Sequence, residues 1–266
     1  MNFLHTFSPN PILLDLGFIT VRWYGFFIAL ALLVGIWLAI KIAKENNINS
    51  DDIYSLALYG AIFGIIGARM YEVFFINWYY YQENLINIFA IWHGGLAIHG
   101  VIIAGLVTLI IFGKIKKIPF LVLADLAVIL LPLGQAIGRW GNYFNQELFG
   151  WPTSLPWGIP IDLINRPSSF INQQYFHPVF LYESILNLIL FLILFLVYKK
   201  IKLGRGILLA IYLIGYGLIR FLMEFVRIDL TPIYWVLRFP QWVSIGMMIL
   251  GSLILVKITL KSNIKN

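Results

Sequence analysis

Cysteine is absent from the 266-residue chain. That excludes a disulfide framework, a thiolate metal site and a cysteine nucleophile belonging to the protein itself. Charge is scarce too: Asp, Glu, Lys and Arg make up 12% of the residues, 61% are hydrophobic, and the mean hydropathy is +0.86. Soluble domains carry about 45–50% apolar residues, so the composition is that of a chain that crosses a membrane several times. The net charge of +7 would suggest nucleic acid in a soluble protein; here it reads as a topology signal, and no nucleic-acid partner is expected. No small-residue cleavage site follows the first apolar segment, which is therefore expected to stay as an anchor.

A membrane helix needs about 20 apolar residues. Seven segments qualify, at roughly 19–43, 53–76, 96–113, 119–137, 180–198, 206–226 and 241–259, and a shorter apolar stretch, Leu85 to Trp92, is expected at the interface. Twelve basic residues follow spans one, three, five and seven: Lys41, Lys44, Lys114, Lys116, Lys117, Lys199, Lys200, Lys202, Arg205, Lys257, Lys261 and Lys265. Positive residues mark the cytoplasmic side. The expected fold is thus an all-α, polytopic membrane protein of seven helices, N-terminus outside and C-terminus inside, a single domain over 1–266.

The other basic residues are all arginines: Arg22, Arg69, Arg139, Arg166, Arg220, Arg227 and Arg238. Only lysine's planar-forked counterpart is used on the outer half, and that fork suits bidentate binding of carboxylate or phosphate. The plain alternative is pairing with Glu72, Glu147, Glu183 or Glu224. Within the spans, the ionisable groups fall in the outer leaflet or its interface and the inner halves are nearly free of them, with Asp125 the main exception. A transporter would string such groups across the full thickness, so the pattern points to a one-sided site facing outer-leaflet headgroups. Arg220, Glu224 and Arg227 stand at i, i+4 and i+7, one face of a helix. Their surplus positive charge calls for a further anion, either a protein carboxylate or the phosphate of a lipid.

Residues 138–150 read GRWGNYFNQELFG. They put Arg139, Asn142, Asn145, Gln146 and Glu147 among Gly138, Gly141 and Gly150 at the end of span four, where a glycine-rich turn is expected. A helix cap accounts for one glycine, not three. A second segment, His93-Gly-Gly-Leu-Ala-Ile-His99-Gly, sets two histidines six residues apart. Without i, i+4 pairing or cysteine they make no metal site, and no cofactor is implied. His99 opens a span beside the anion site and is the candidate for proton transfer.

The 138–150 motif resembles the signature of the bacterial phosphatidylglycerol-prolipoprotein diacylglyceryl transferases. So do four other segments in order: Val21-Arg-Trp-Tyr24-Gly, the His93 to His99 segment, His177-Pro with Leu181-Tyr-Glu183, and Arg220-Phe through Glu224 to Arg227. Phe180 departs from the pattern, standing where a polar residue is expected. The resemblance implies transfer of diacylglyceryl from phosphatidylglycerol to the lipobox cysteine thiol of a prolipoprotein signal peptide, with glycerol phosphate released. It also implies a bacterial cytoplasmic (inner) membrane location and a site towards the outer face.

Carried over position by position, Arg139 and Arg220 hold the phosphate, and Asn142 and Gly150 shape the pocket. Tyr24 donates a hydroxyl to the headgroup, Glu147 is a further site residue, and His99 takes or relays the thiol proton. Glu224 and Arg227 orient Arg220 or build a second lipid position. The absence of cysteine fits direct displacement without a thioester on the enzyme. Residues 139–179, with five prolines besides Trp151 and Trp157, are expected to form a cap over the site. A lipid transporter is the rival reading, disfavoured by the lack of an internal repeat, and a non-catalytic lipid-binding scaffold is a further one.

Overall fold

The computed structural model describes residues 3–229 and 231–263; Lys265 lies outside the described residues, and so does the side chain of His93. Helices dominate. After a short α1 (Phe3–Thr6) and a hairpin of β1 (Ile12–Asp15) and β2 (Thr20–Arg22), the chain forms α2 (Trp23–Glu45) and α3 (Ser50–Tyr71). A π turn (Glu72–Ile76), α4 (Trp78–Glu83) and two 3-10 turns lead to α5 (Ile98–Lys116) and α6 (Phe120–Phe144). Two strands, β3 (Ile159–Pro160) and β4 (Tyr175–Phe176), interrupt the segment before α7 (Val179–Tyr198) and α8 (Ile207–Met223). A second hairpin, β5 (Ile233–Tyr234) with β6 (Leu237–Arg238), precedes α9 (Phe239–Asn263).

Six of these helices are long and apolar enough to cross a membrane: Trp23–Glu45, Ser50–Ile76, Ile98–Lys116, Phe120–Phe144, Val179–Tyr198 and Phe239–Lys261. The helix at the sixth expected span, Ile207–Met223, is apolar but only 17 residues long. Large apolar side chains such as Leu33, Trp37, Ile66, Ile102 and Leu196 cover the outside, the inverse of a soluble surface and the expected face towards lipid.

Cross-helix contacts define two ends. At one, Lys199 reaches Glu45 (2.9 Å) and Lys116 reaches Asp52 (2.7 Å). Asp125 belongs to this end and is fully buried. Its carboxylate accepts from the backbone N–H groups of Gly204 (2.9 Å), Gly206 (3.0 Å) and Leu209 (3.0 Å), capping the start of α8. Three N–H donors and a helix N-terminus satisfy that charge in place of a counter-ion, so the one carboxylate expected in the inner half is structural.

At the other end, the start of α2 meets the end of α6, where Trp23 stacks on Phe144 with ring centroids 4.5 Å apart. α6 is the most buried long helix and packs against α2, α5, α7 and α8. The end of α3 holds the start of α5. Arg69, 7% exposed, donates to the carbonyls of Asn87, Ile88 (2.8 Å), Ala90 (3.3 Å), Gly94 (2.7 Å) and Gly95 (2.9 Å), and lies over the Tyr81 ring. Every N–H of that guanidinium is used by backbone, which removes Arg69 from the phosphate-seeking set. Arg166 is likewise taken by the carbonyls of Ile161 and Ile171.

Candidate functional site

The expected turn at Gly138 is instead helix. α6 continues through Phe144, so Arg139 and Asn142 sit on its last two turns, and the irregular segment runs from 145 to 178. Helical hydrogen bonding ends at Asn145, Gln146 and Glu147, whose N–H groups bond to Gly141, Tyr143 and Asn142 carbonyls. Gln146 (φ 52°) and Leu148 (φ 56°) then reverse the chain in the left-handed region, at a cost of about 1 kcal/mol or more each for residues with a Cβ. The buried Gln146 side chain holds that turn, donating to Pro9 O (3.0 Å) and Asp162 Oδ2 (2.6 Å) and accepting from Asp162 N (2.7 Å). Ser8 donates to the same Asp162 (2.8 Å), and His5 stacks on Tyr175. The N-terminal segment is thereby strapped to the segment over the site, a link that sequence reasoning missed; the only signal was a glutamine without a role inside the motif.

Arg139 Nη1 donates to Asn142 Oδ1 (3.1 Å), and Asn142 Nδ2 donates to Glu147 Oε1 (2.7 Å). Arg139 Nε lies against Glu183 Oε2, an ion pair without hydrogen-bond alignment. The other oxygen of Glu183, Oε1, accepts from Arg227 Nη1 at 3.0 Å, and Arg227 Nε pairs with Asp229 at 2.6 Å. Glu183 is 3% exposed. The anion demanded by the sequence is thus met by a protein carboxylate for Arg139 and Arg227.

Arg220 differs. Its Nη2 faces Glu224 Oε2 at 2.8 Å, but its Nη1 is buried with no hydrogen-bond partner among the described residues. Arg227 and Glu183 are close enough to act on it electrostatically. Glu224 is shared: Thr231 donates to its Oε1 (3.0 Å), and Arg238, which also donates to the carbonyls of Glu224 (3.3 Å) and Arg227 (3.0 Å), lies 3.5 Å from it.

The expected single face holds for Arg220 and Glu224, an i,i+4 pair, but Arg227 lies beyond the helix. α8 ends at Met223, and Arg227 leaves the helix to bridge its backbone to Gly150. Gly150 N donates to His177 O, and Trp151 N to Val226 O, both at 3.0 Å. A Cβ on Gly150 would lie 2.6 Å from Val226 O, so only glycine admits this approach. Gly141 does the same for Tyr24, whose ring would be 2.8 Å from an added Cβ. Tyr24 is half exposed at the start of α2, with Glu147 and Arg139 near enough to act on its hydroxyl.

Arg139, Asn142, Glu147, Gly150, Arg220, Glu224, Arg227 and Tyr24 therefore gather at one end of the bundle. His99 is not joined to them: exposed in the first turn of α5, it stacks on Tyr71 with centroids 5.4 Å apart. Nearby, Tyr182 OH accepts from Trp157 Nε1 (2.9 Å) and bonds His177 Nδ1 (3.2 Å), and burial holds His177 below the usual imidazole range. Phe180, the departure from the motif, is buried and stacks on Tyr143 at 4.4 Å. It fills the core under the 145–178 segment with Phe149, Ile159, Ile161 and Phe176.

Residues 11–257 match the family model described as prolipoprotein diacylglyceryl transferase. A protein of Thermosynechococcus vestitus named phosphatidylglycerol–prolipoprotein diacylglyceryl transferase is 44% identical over 249 residues, covering 92% of this chain and 91% of its own. Proteins of the same name from Synechococcus elongatus and a Nostoc species are each 44% identical, over 254 and 257 residues, covering 94% of this chain and 87% and 89% of theirs.

Proposed function

The chain belongs to the prolipoprotein diacylglyceryl transferase family, and on that premise we propose that the arginine cluster at the end of α6 and α8 is its reaction site. The protein is a transferase that moves the diacylglyceryl group of phosphatidylglycerol to a prolipoprotein, the first step of lipoprotein maturation.

In chemical terms, the sulfur of a signal-peptide lipobox cysteine attacks the sp³ carbon of the diacylglyceryl group that bears the phosphate oxygen. A C–S bond forms, the C–O bond breaks, and glycerol phosphate leaves with one more negative charge than the phosphodiester carried. Two things must be supplied. The thiol, with a free pKa of about 8.5, has to lose its proton, and the charge growing on the leaving phosphate has to be met by preorganised donors.

The observation that carries the assignment is Arg220 Nη1, a buried donor without a partner among the described residues; Glu183, which pairs with an Arg139 already oriented on two of its nitrogens, is near enough to act on the same Arg220. Leaving such a donor unpaired costs about 1–3 kcal/mol, and a phosphate oxygen would remove the cost. Arg139 and Arg220 grip the phosphate. Asn142 and Glu147 hold Arg139, Gly150 seats Arg227, Glu224 holds Arg220, and Tyr24 donates to the headgroup. His99, at the start of α5 and outside this cluster, relays the thiol proton.

The seventh crossing is made by α8, 17 residues that together with the polar turn after Met223 reach the interface. The lysine end lies in the cytoplasm and the arginine end faces the outer leaflet of the bacterial cytoplasmic membrane, with the N-terminus outside. Residues 145–178 cap the site and receive the signal peptide. Purified protein given labelled phosphatidylglycerol and a lipobox peptide should add diacylglyceryl mass to the cysteine; lipid movement between leaflets without an adduct would overturn the assignment.

A further inference from the structure

Glu183 joins arginines from two different elements, Arg139 and Arg227, and neither a lipid nor a peptide is needed to explain where it sits. It stands in the first turns of α7, 3% exposed, with one oxygen on Arg139 of α6 and the other on Arg227 beyond α8. Ser184, its neighbour, fastens the same turn to α6 by donating to Ala136 O at 2.9 Å. The Asn187 side chain donates to the Glu183 carbonyl at 2.7 Å. The backbone that carries the carboxylate is therefore fastened both to α6 and to its own helix.

Its effect on Arg139 is specific. Glu183 takes the Nε edge and Asn142 the Nη1 edge, which fixes the guanidinium plane and leaves Nη2 as the end open to a ligand. Arg227 is fixed in the same way, by Glu183 at Nη1 and Asp229 at Nε. Arg139, Arg220, Arg227 and Arg238 are then balanced by Glu147, Glu183, Glu224 and Asp229, so the cluster is neutral without a ligand. A carboxylate in that position does two opposed things to an incoming phosphate. It aims the arginine forks, and it competes for their charge.

Resting on the reading that this cluster binds the lipid phosphate, we infer that Glu183 is a positioning residue that trades lipid affinity for rate. Its charge weakens ground-state binding of the anionic headgroup while holding Arg139 in the geometry that the departing phosphate requires. A purely structural ion pair predicts something else: less folded protein, with unchanged constants per folded molecule.

The test is a set of kinetics on the purified full chain. E183Q keeps length and removes charge. It should lower the KM for phosphatidylglycerol several-fold while lowering kcat about tenfold or more, the combination that marks lost orientation with tighter ground-state binding. Unchanged constants, or a raised KM at unchanged kcat, would overturn the inference. E183D keeps the charge but withdraws it by one methylene; it should retain the wild-type KM and lose kcat, and wild-type turnover in it counts against the inference even if E183Q does not fold. Binding of phosphatidylglycerol in mixed micelles, read without turnover, should tighten in E183Q. Equal or weaker binding contradicts the role of Glu183 even if the wild type transfers nothing, whereas absence of a wild-type adduct with tighter E183Q binding would fault only the assigned reaction.

Discussion

Arg227 Nη1 donates to Glu183 Oε1 at 3.0 Å, tying the chain beyond α8 to the start of α7. Arg227 stands just past the end of α8: its N–H still bonds to Met223 O at 3.1 Å, its backbone bridges to Gly150, and its side chain meets Glu183 and Asp229. The charge network and the 145–178 segment therefore share one hinge point.

Gly150→Ala tests that point. The new Cβ would lie 2.6 Å from Val226 O and 2.8 Å from His177 Cβ, both of which have to move, at a cost of about 1–3 kcal/mol. Because Arg227 is the paired residue, transfer activity should fall about tenfold or more per folded molecule; a stability loss with full activity would show that the arginine keeps its place.

Asn142 links Arg139 to Glu147 through both ends of its amide. Asn142→Ala removes both bonds from a buried position and leaves Arg139 fixed only at Nε. A destabilisation of about 1–2 kcal/mol should accompany a loss of turnover far larger than that figure explains. Thermal unfolding and transfer rates measured on the same preparation separate the two.

Asp125→Asn asks the opposite question at the lysine end. The carboxylate accepts three backbone N–H bonds at the start of α8, and an amide must present N–H to at least one of them. The expected loss is about 1.5–3 kcal/mol of stability with kcat unchanged in the molecules that fold. A selective loss of kcat would give Asp125 a part in the reaction.

Acidification should weaken the cap through His177. Burial keeps its folded pKa below the ordinary value, so the unfolded chain binds the proton more readily. Its stabilising contribution is complete above the unfolded pKa of about 6.5 and falls as pH drops from there through the folded value. Replacing His177 with Gln should make the unfolding temperature fall less between pH 7.5 and 5; an equal fall in both proteins would contradict this.

Hydropathy carried the helices within a few residues, since α3, α5, α7 and α9 lie where apolar runs of membrane length placed them. The ends were less legible. Polar residues and glycines suggested a turn at 138, but helix propagation continues through Phe144 because Gly141 and Asn142 face α2 and Arg139 rather than solvent. The gathering of Arg139, Asn142, Glu147, Gly150 and Arg220 was readable from the motifs. The partner of Arg139 was legible only as one of four carboxylates, Glu72, Glu147, Glu183 or Glu224: spacing reports neighbours on one helix, whereas Glu183 lies 44 residues from both Arg139 and Arg227 and meets them only through packing. Arg69 misled for a related reason. Nothing in its sequence position distinguishes a fork aimed at phosphate from one filled by five carbonyls.

The central claim is that a guanidinium fork at position 139 meets the leaving phosphate. The direct measurement is diacylglyceryl transfer from phosphatidylglycerol to a lipobox peptide by purified wild-type and Arg139→Lys protein, read as mass on the cysteine. Lysine keeps the charge and loses the fork. The account predicts an adduct with the wild type and a rate lower by about 100-fold with the variant. Equal rates for the two proteins would contradict it.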